Sequence, residues 1–303
     1  MRKIRQIYYR GSLRFCNYSC SYCPFSKNKG SNRQLAQDRA ELFRFVDFIG
    51  QDTFHGAVQI VPYGEALIHE YYWEGLAKLS MYSAIQAVGA QSNFSFPVER
   101  MLSVYEAFGG NKEKLRLWGT FHPEMTTPEQ FLAQCDSLQK AQILFCVGAV
   151  GVPKNLELLR WLRAGLNQSV YFWINKMDGL GRRYTEEEVK AFLELDKYFA
   201  LELRHFKADK AACAEAVFIQ GDGKIRPCNL CSSEMGNLYQ DGLEELPQKI
   251  CTRKECDCFL SYGSRMDAEE LQVFKPYPAF RIPVWDKSVI CMGMVEHDKY
   301  FTM

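Results

Sequence analysis

Cys16-Asn17-Tyr18-Ser19-Cys20-Ser21-Tyr22-Cys23 sets three thiols within eight residues, shortly after the apolar run Ile7-Tyr8-Tyr9. Thiolates this close on one loop can converge on one metal centre, and soft sulfur selects iron-sulfur clusters, zinc or Cu(I). A structural zinc or an ordinary ferredoxin cluster takes four ligands from the protein, so a local trio implies one metal position left for another ligand. The alternative is a zinc knuckle missing its fourth ligand.

Outward from this loop, short apolar runs alternate with amphipathic ones. Strands are expected at Gln6–Leu13, Ala57–Pro62, Ile85–Gln91, Leu115–His122, Ile143–Val150 and Val170–Asn175. Each is largely apolar, as strands buried on both faces are. Helices are expected at about Leu35–Gly50, Tyr71–Met81, Pro97–Phe108, Pro128–Gln139, Asn155–Ala164 and Thr185–Tyr198, with stripes such as Leu42, Phe45, Val46 and Ile49. Strict βα alternation means a parallel sheet with right-handed crossovers. The expected fold is α/β, a partial (β/α)6 TIM-like barrel over residues 1–206, followed by a small Cys-rich α+β module over 207–303.

In such a barrel the working residues stand at the C-terminal ends of the strands. The expected strand ends carry polar residues or glycine: the Cys loop, Tyr63-Gly64-Glu65, Gln91-Ser92-Asn93, His122, Gly148 to Gly151, and Asn175. Each also has a plainer reading. Glu65 could be a solvated loop carboxylate, Asn93 a turn residue, His122 a satisfied structural histidine, and the glycines an aid to close packing. Cys135 and Cys146 fall on an expected helix and strand, where a buried, inert thiol is the default.

The C-x3-C-x2-C spacing, with Tyr22 before the last cysteine, resembles the signature of the radical SAM (S-adenosylmethionine) enzymes. The resemblance extends over roughly residues 6–200. It implies that Cys16, Cys20 and Cys23 hold a [4Fe–4S] cluster whose fourth iron is chelated by SAM. It also implies reductive cleavage of SAM to a 5′-deoxyadenosyl radical, with electrons from a donor such as flavodoxin or ferredoxin. Tyr63-Gly64-Glu65-Ala66 resembles the GGE motif that meets the SAM amino group, with Tyr63 in place of the first glycine. Ser92-Asn93 resembles the polar strand end that contacts the ribose or carboxylate. Gly148-Ala149-Val150-Gly151 is similar to the strand that lets adenine approach, and Asn175 falls where a polar contact to the nucleoside is offered. Tyr22 joins this cofactor-binding set, and His122 is carried as a substrate contact or proton donor.

After about Phe206 the pattern changes. Ala216–Gln220, the turn Gly221-Asp222-Gly223 and Lys224–Arg226 form a β-hairpin signal, and Cys213, Cys228, Cys231, Cys251, Cys256 and Cys258 crowd around it. The spacing of Cys213, Gly223 and Cys228, and the Met235-Gly236-Asn237-Leu238 run, resemble the opening of SPASM and twitch modules. That likeness implies one auxiliary [4Fe–4S] cluster, with Cys213, Cys228, Cys251, Cys256 and Cys258 as its candidate ligands and Cys231 left open as a further one. A four-cysteine structural zinc would staple the segment equally. Cys291 is too distant to count. As a whole the chain is similar to a bacterial branch of that superfamily sharing Tyr9-Arg10-Gly11-Ser12-Leu13 and Cys256-Asp257-Cys258.

Composition narrows the partners. Lys plus Arg number 37 against 36 Asp plus Glu, so no net field draws in nucleic acid or an anionic membrane. No apolar run of membrane-spanning length or signal-peptide character occurs, and the chain reads as cytoplasmic. Twelve cysteines in a reducing compartment favour metal over disulfides. The function that the resemblance implies is modification of a peptide or protein. A dehydrogenation or epimerisation of a small molecule is the second enzymatic reading, and a non-catalytic Cys-rich metal protein the competing class.

Overall fold

The computed structural model describes residues 4–25, 30–51, 53–207, 215–244, 246–247, 253–256, 258–262 and 269–283. Six parallel strands, β1 (Gln6–Gly11), β2 (Gly56–Ile60), β3 (Ile85–Ser92), β4 (Leu115–Phe121), β5 (Leu144–Gly151) and β6 (Phe172–Lys176), pair in sequence order. Helices α1 (Asn32–Ile49), α2 (Glu70–Met81), α3 (Val98–Ala107), α4 (Pro128–Lys140), α5 (Leu156–Gly165) and α6 (Glu186–Leu195) follow the strands in turn. This is the expected partial barrel. Each strand divides its residues by parity. Ile7, Tyr9, Val58, Ile60, Leu117, Val147 and Ile174 pack with the helices, whereas Tyr8, Trp118, Cys146 and Trp173 form a second core on the other face, the lumen. Helix starts are encoded locally: Ser31 with Gln34, Thr127 with Gln130, and Thr185 with Glu188 each form a capping box.

The helix expected to run unbroken over Thr185–Tyr198 is divided. α6 ends at Leu195, and a short α7 (Phe199–Leu203) follows. Asp196 causes the break: its buried carboxylate accepts from Ile174 N, Tyr171 Oη and Tyr198 N at 2.8, 2.6 and 3.0 Å, which ties the chain to β6. Such local side-chain-to-backbone bonding competes with helix continuation.

The hairpin is present, and it extends the barrel sheet. After β7 (Phe206–Lys207), strand β8 (Ala216–Gln220) lies parallel to β1, with Tyr8 opposite Phe218 and Tyr9 opposite Ile219. β9 (Lys224–Arg226) and β10 (Gly236–Asn237) continue the sheet antiparallel, giving the order β10-β9-β8-β1-β2-β3-β4-β5-β6. The sheet thus runs across the division expected at 206/207, and β1 is an inner strand. A separate two-stranded ladder joins β7 to β11 (Glu255–Cys256). No helix among the described residues is long and apolar enough to cross a membrane.

A late segment closes the lumen. Ala279 N donates to Gln6 Oε1 at 3.2 Å, Cys146 Sγ donates to the Phe280 carbonyl at 3.2 Å, and the Phe280 ring packs on Ala57 and Ala87. Gly89 makes room, since a Cβ there would stand 2.7 Å from that ring. Arg281 follows with a left-handed φ of 50° and pairs inside the lumen with Glu202 at 3.1 Å, beneath the rings of Trp118, Trp173 and Phe259. Phe280→Ala is expected to cost about 3–5 kcal/mol, the usual effect of emptying a buried phenylalanine site. Urea unfolding would measure it, and a loss below about 1 kcal/mol would show that the segment is not part of the core.

Candidate active-site rim

The Cys16–Cys23 loop leaves the C-terminal end of β1 and is held by three other strand ends. Gly11 ends β1 with a left-handed φ of 57°. Ser12 then donates from N and Oγ to Asp38 of α1 at 3.2 and 3.1 Å, and Tyr71 and Tyr72 donate to the other oxygen of Asp38 at 2.8 Å each. At the β2 end Glu65 N donates to the Phe15 carbonyl at 2.9 Å. The two backbones approach so closely that a Cβ on Gly64 would lie 2.0 Å from the Phe15 oxygen. Gly64 is therefore required by the approach of the Cys loop.

The Glu65 side chain turns inward and is buried. Its Oε1 accepts from Leu67 N and Ser92 Oγ at 3.0 and 2.8 Å, and its Oε2 accepts from Asn93 N at 2.6 Å. Burial pushes its pKa up to about 7, against the lowering effect of these three donors. Asn93, so fixed, donates to Asn17 Oδ1 at 3.0 Å with its amide 3.9 Å from Cys16 Sγ. Ser92 Oγ also accepts from Phe94 N at 2.9 Å.

The far end of the loop is clamped by β4. Ser21 donates from N and Oγ to the two oxygens of Glu124 at 2.6 Å each. The Tyr22 hydroxyl stands 2.9 Å from His122 Nδ1, with the two rings stacked at 5.9 Å and Tyr18 edge-on to the same imidazole. Burial lowers the His122 pKa to about 4, so the ring is neutral at ordinary pH. Glu124, which sequence reasoning missed, lies two residues past His122 on the same strand-end loop.

The other expected cofactor-binding residues are placed as follows. The Tyr63 ring packs against the Phe25 ring at 4.8 Å, and the guanidinium groups of Arg10 and Arg14 lie over it at 4.4 and 5.1 Å. Gly148 faces the lumen, but its open side is filled by the Trp173 indole, 1.8 Å from where a Cβ would be. Gly151 offers its carbonyl to Tyr184 Oη at 2.7 Å. The Asn175 amide oxygen accepts from Arg281 at 3.3 Å. Thus Tyr22, Glu65, Ser92, Asn93 and His122 surround the Cys loop, whereas Gly148 and Asn175 are covered by Trp173 and the late segment.

Cys20 is buried, and Cys16 and Cys23 are half-buried. Burial and the neighbouring thiols push Cys20 up to about 11, and Cys16 is raised by burial as well. Ionised together the three would repel, so the donor set suits a cation that reverses this penalty. As the side chains stand, no three Cys, His, Asp or Glu groups among the described residues meet at one point in metal-holding geometry. The chemistry of the set fits a thiophilic metal centre. A second set, Cys228, Cys231, Cys256 and Cys258, lies in the lumen-side core with Ala216 and Phe218. Cys213 and Cys251, expected among its ligands, and Cys291 lie outside the described residues.

No family model and no curated protein matches the chain. Solved structures do. Native anSMEcpe with bound AdoMet and Cp18Cys peptide overlaps at a TM-score of 0.51 and 11% identity, covering 90% of this chain and 86% of that one. A histidine-tagged form of anSMEcpe with bound AdoMet overlaps at 0.50 and 11%, covering 80% and 76%. BtrN in complex with AdoMet and 2-DOIA overlaps at 0.42 and 14%, covering 80% and 81%. At 11% identity the likeness to the first two concerns the fold.

Glu65→Ala is expected to leave the Leu67 and Asn93 amides unpaired, at about 1–3 kcal/mol for each buried donor. Glu65→Gln should cost less, and equilibrium unfolding of the two variants would measure the difference. Gly64→Ala should push Phe15 away and raise the rate at which iodoacetamide labels Cys16 and Cys20. Labelling at the native rate would show that the loop does not depend on this contact.

Proposed function

We propose that the chain is a radical SAM enzyme. The observation that carries this is the three-thiol loop at the C-terminal rim of the first strand of a parallel (β/α)6 barrel, laid against the Gly64–Glu65 and Ser92–Asn93 strand ends. A fold shared with a protein whose structures hold AdoMet supports the reading. Cys16, Cys20 and Cys23 would hold the cluster, which when bound supplies one-electron cleavage of SAM to methionine and a 5′-deoxyadenosyl radical that takes a hydrogen atom from substrate.

The chain's own residues prepare the rim for that chemistry. Glu65, with both oxygens engaged by protein donors, positions Ser92 and Asn93 for the cofactor. Tyr22 lies beside the last thiol and is oriented by neutral His122, and Tyr63 forms an aromatic wall under Arg10 and Arg14. Gly151 remains a place for the nucleoside along β5. Cys228, Cys231, Cys256 and Cys258, with Cys213 and Cys251 from outside the described residues, supply thiols for one auxiliary metal centre. Flavodoxin or ferredoxin would deliver the electron.

The substrate we favour is a peptide or protein. The lumen is filled to the depth of Trp118, Trp173 and Arg281, so substrate would meet the rim from outside. An extended chain lying across the rim suits that shape, and a structure of the same fold has both AdoMet and a peptide bound.

Anaerobic reconstitution is expected to load about eight irons and eight sulfides per chain if both centres are [4Fe–4S] clusters. Replacing Cys16, Cys20 and Cys23 by Ala should remove about half of them and abolish release of 5′-deoxyadenosine from SAM under a strong reductant. Zinc in both places, with no SAM cleavage, would sink the proposal.

A further inference from the structure

Arg10, at the end of β1, is only 4% exposed. One of its terminal nitrogens donates to the Val61 carbonyl, the other to Asn229 Oδ1 at 2.5 Å, and the guanidinium lies over the Tyr63 and Phe218 rings at 4.4 and 5.5 Å. Its Nε has no hydrogen-bond partner. No carboxylate among the described residues pairs with it. An isolated buried cation is costly, so this arrangement calls for an anion that the described side chains do not supply.

Asn229 points to where that anion belongs. Its amide oxygen accepts from Arg10, and its amide nitrogen donates to Cys258 Sγ at 3.5 Å. Polarisation by the guanidinium strengthens the second bond, and a sulfur accepts it better as thiolate than as thiol. Cys228, Cys231 and Cys256 are buried in the same core, with Cys258 packed against it. Four thiolates around a divalent zinc or an oxidised [4Fe–4S] cluster carry a net charge of about −2. A buried cation with no acid among the described residues and a buried set of thiols that, once ionised, needs a positive charge are joined through a single amide.

We propose that Arg10, acting through Asn229, is the charge-compensating and positioning residue of a thiolate metal centre to which Cys258 and the Cys228, Cys231 and Cys256 of the same core contribute. This rests on the auxiliary metal centre proposed above. Arg10 stands six residues before Cys16, so the strand that launches the first thiol loop also carries the cation of the second centre.

The test uses the full chain in a Cys16/Cys20/Cys23→Ala background, so that only the second centre loads. The background chain and its Arg10→Gln, Arg10→Lys and Asn229→Leu versions are reconstituted with iron and sulfide, or with zinc alone. Arg10→Gln is expected to lose metal to a chelator at least ~10-fold faster, the scale seen when support of a metal ligand is removed. With iron bound, its midpoint potential should move to more negative values, because the reduced centre bears the larger negative charge. Arg10→Lys keeps the charge and should keep most of the potential, an outcome that a purely packing role for Arg10 would not produce. If Arg10→Gln fails to fold, Asn229→Leu breaks the relay with the cation in place and should still speed metal loss. Equal retention and equal potential in all folded variants would overturn this inference alone. A background chain that takes up no metal would overturn the metal-centre reading beneath it.

Discussion

One backbone contact governs the rim: Glu65 N meets the Phe15 carbonyl at 2.9 Å, with no room for a side chain on the adjacent Gly64. Because the backbone of the second strand end is engaged by the Cys loop, the Glu65 carboxylate is turned into the protein. There it gathers Leu67, Ser92 and Asn93, and Asn93 in turn reaches Asn17 beside Cys16. Burying this carboxylate is costly, as its raised pKa shows, and three donors offset part of the cost. The loop is thus positioned by residues that need never touch a metal.

Parallel strands make this possible. All of their C-terminal ends arrive at one rim, so a loop leaving β1 can be held by the ends of β2, β3 and β4. The β4 clamp, Glu124 on Ser21 and His122 on Tyr22, holds the half of the loop that the Phe15 contact does not reach. Asp38 secures the stretch between β1 and the first thiol against α1 and α2.

The late segments change what the barrel is. With β8 hydrogen-bonded along β1, the hairpin that leads to Cys228 and Cys231 belongs to the same sheet as the strand that launches the first thiol loop. Phe280 and Arg281 fill the lumen, where small residues at Ala57, Ala87 and Gly89 leave space for the ring. Arg281 has its own carboxylate in Glu202, whereas Arg10 has none among the described residues, and that difference separates a structural cation from one awaiting a charged neighbour.

The local order of the chain was determined by the sequence itself. Apolar runs of strand length, capping signals such as Thr127 with Gln130, and βα alternation are short-range properties, so the six strands, the helices between them and the hairpin could be read directly. The thiol trio and the polar strand ends were legible for the same reason, since residue type and spacing carry their chemistry. Partner choice was decided only in three dimensions. Nothing near Asn175 or Gly148 in sequence announces Arg281 or Trp173, and nothing near Arg10 announces Asn229, 219 residues away. The pairing of β8 with β1 and the inward turn of Glu65 are of the same kind. They follow from which backbones and side chains compete for one buried volume, a contest that is settled only when distant segments are packed together.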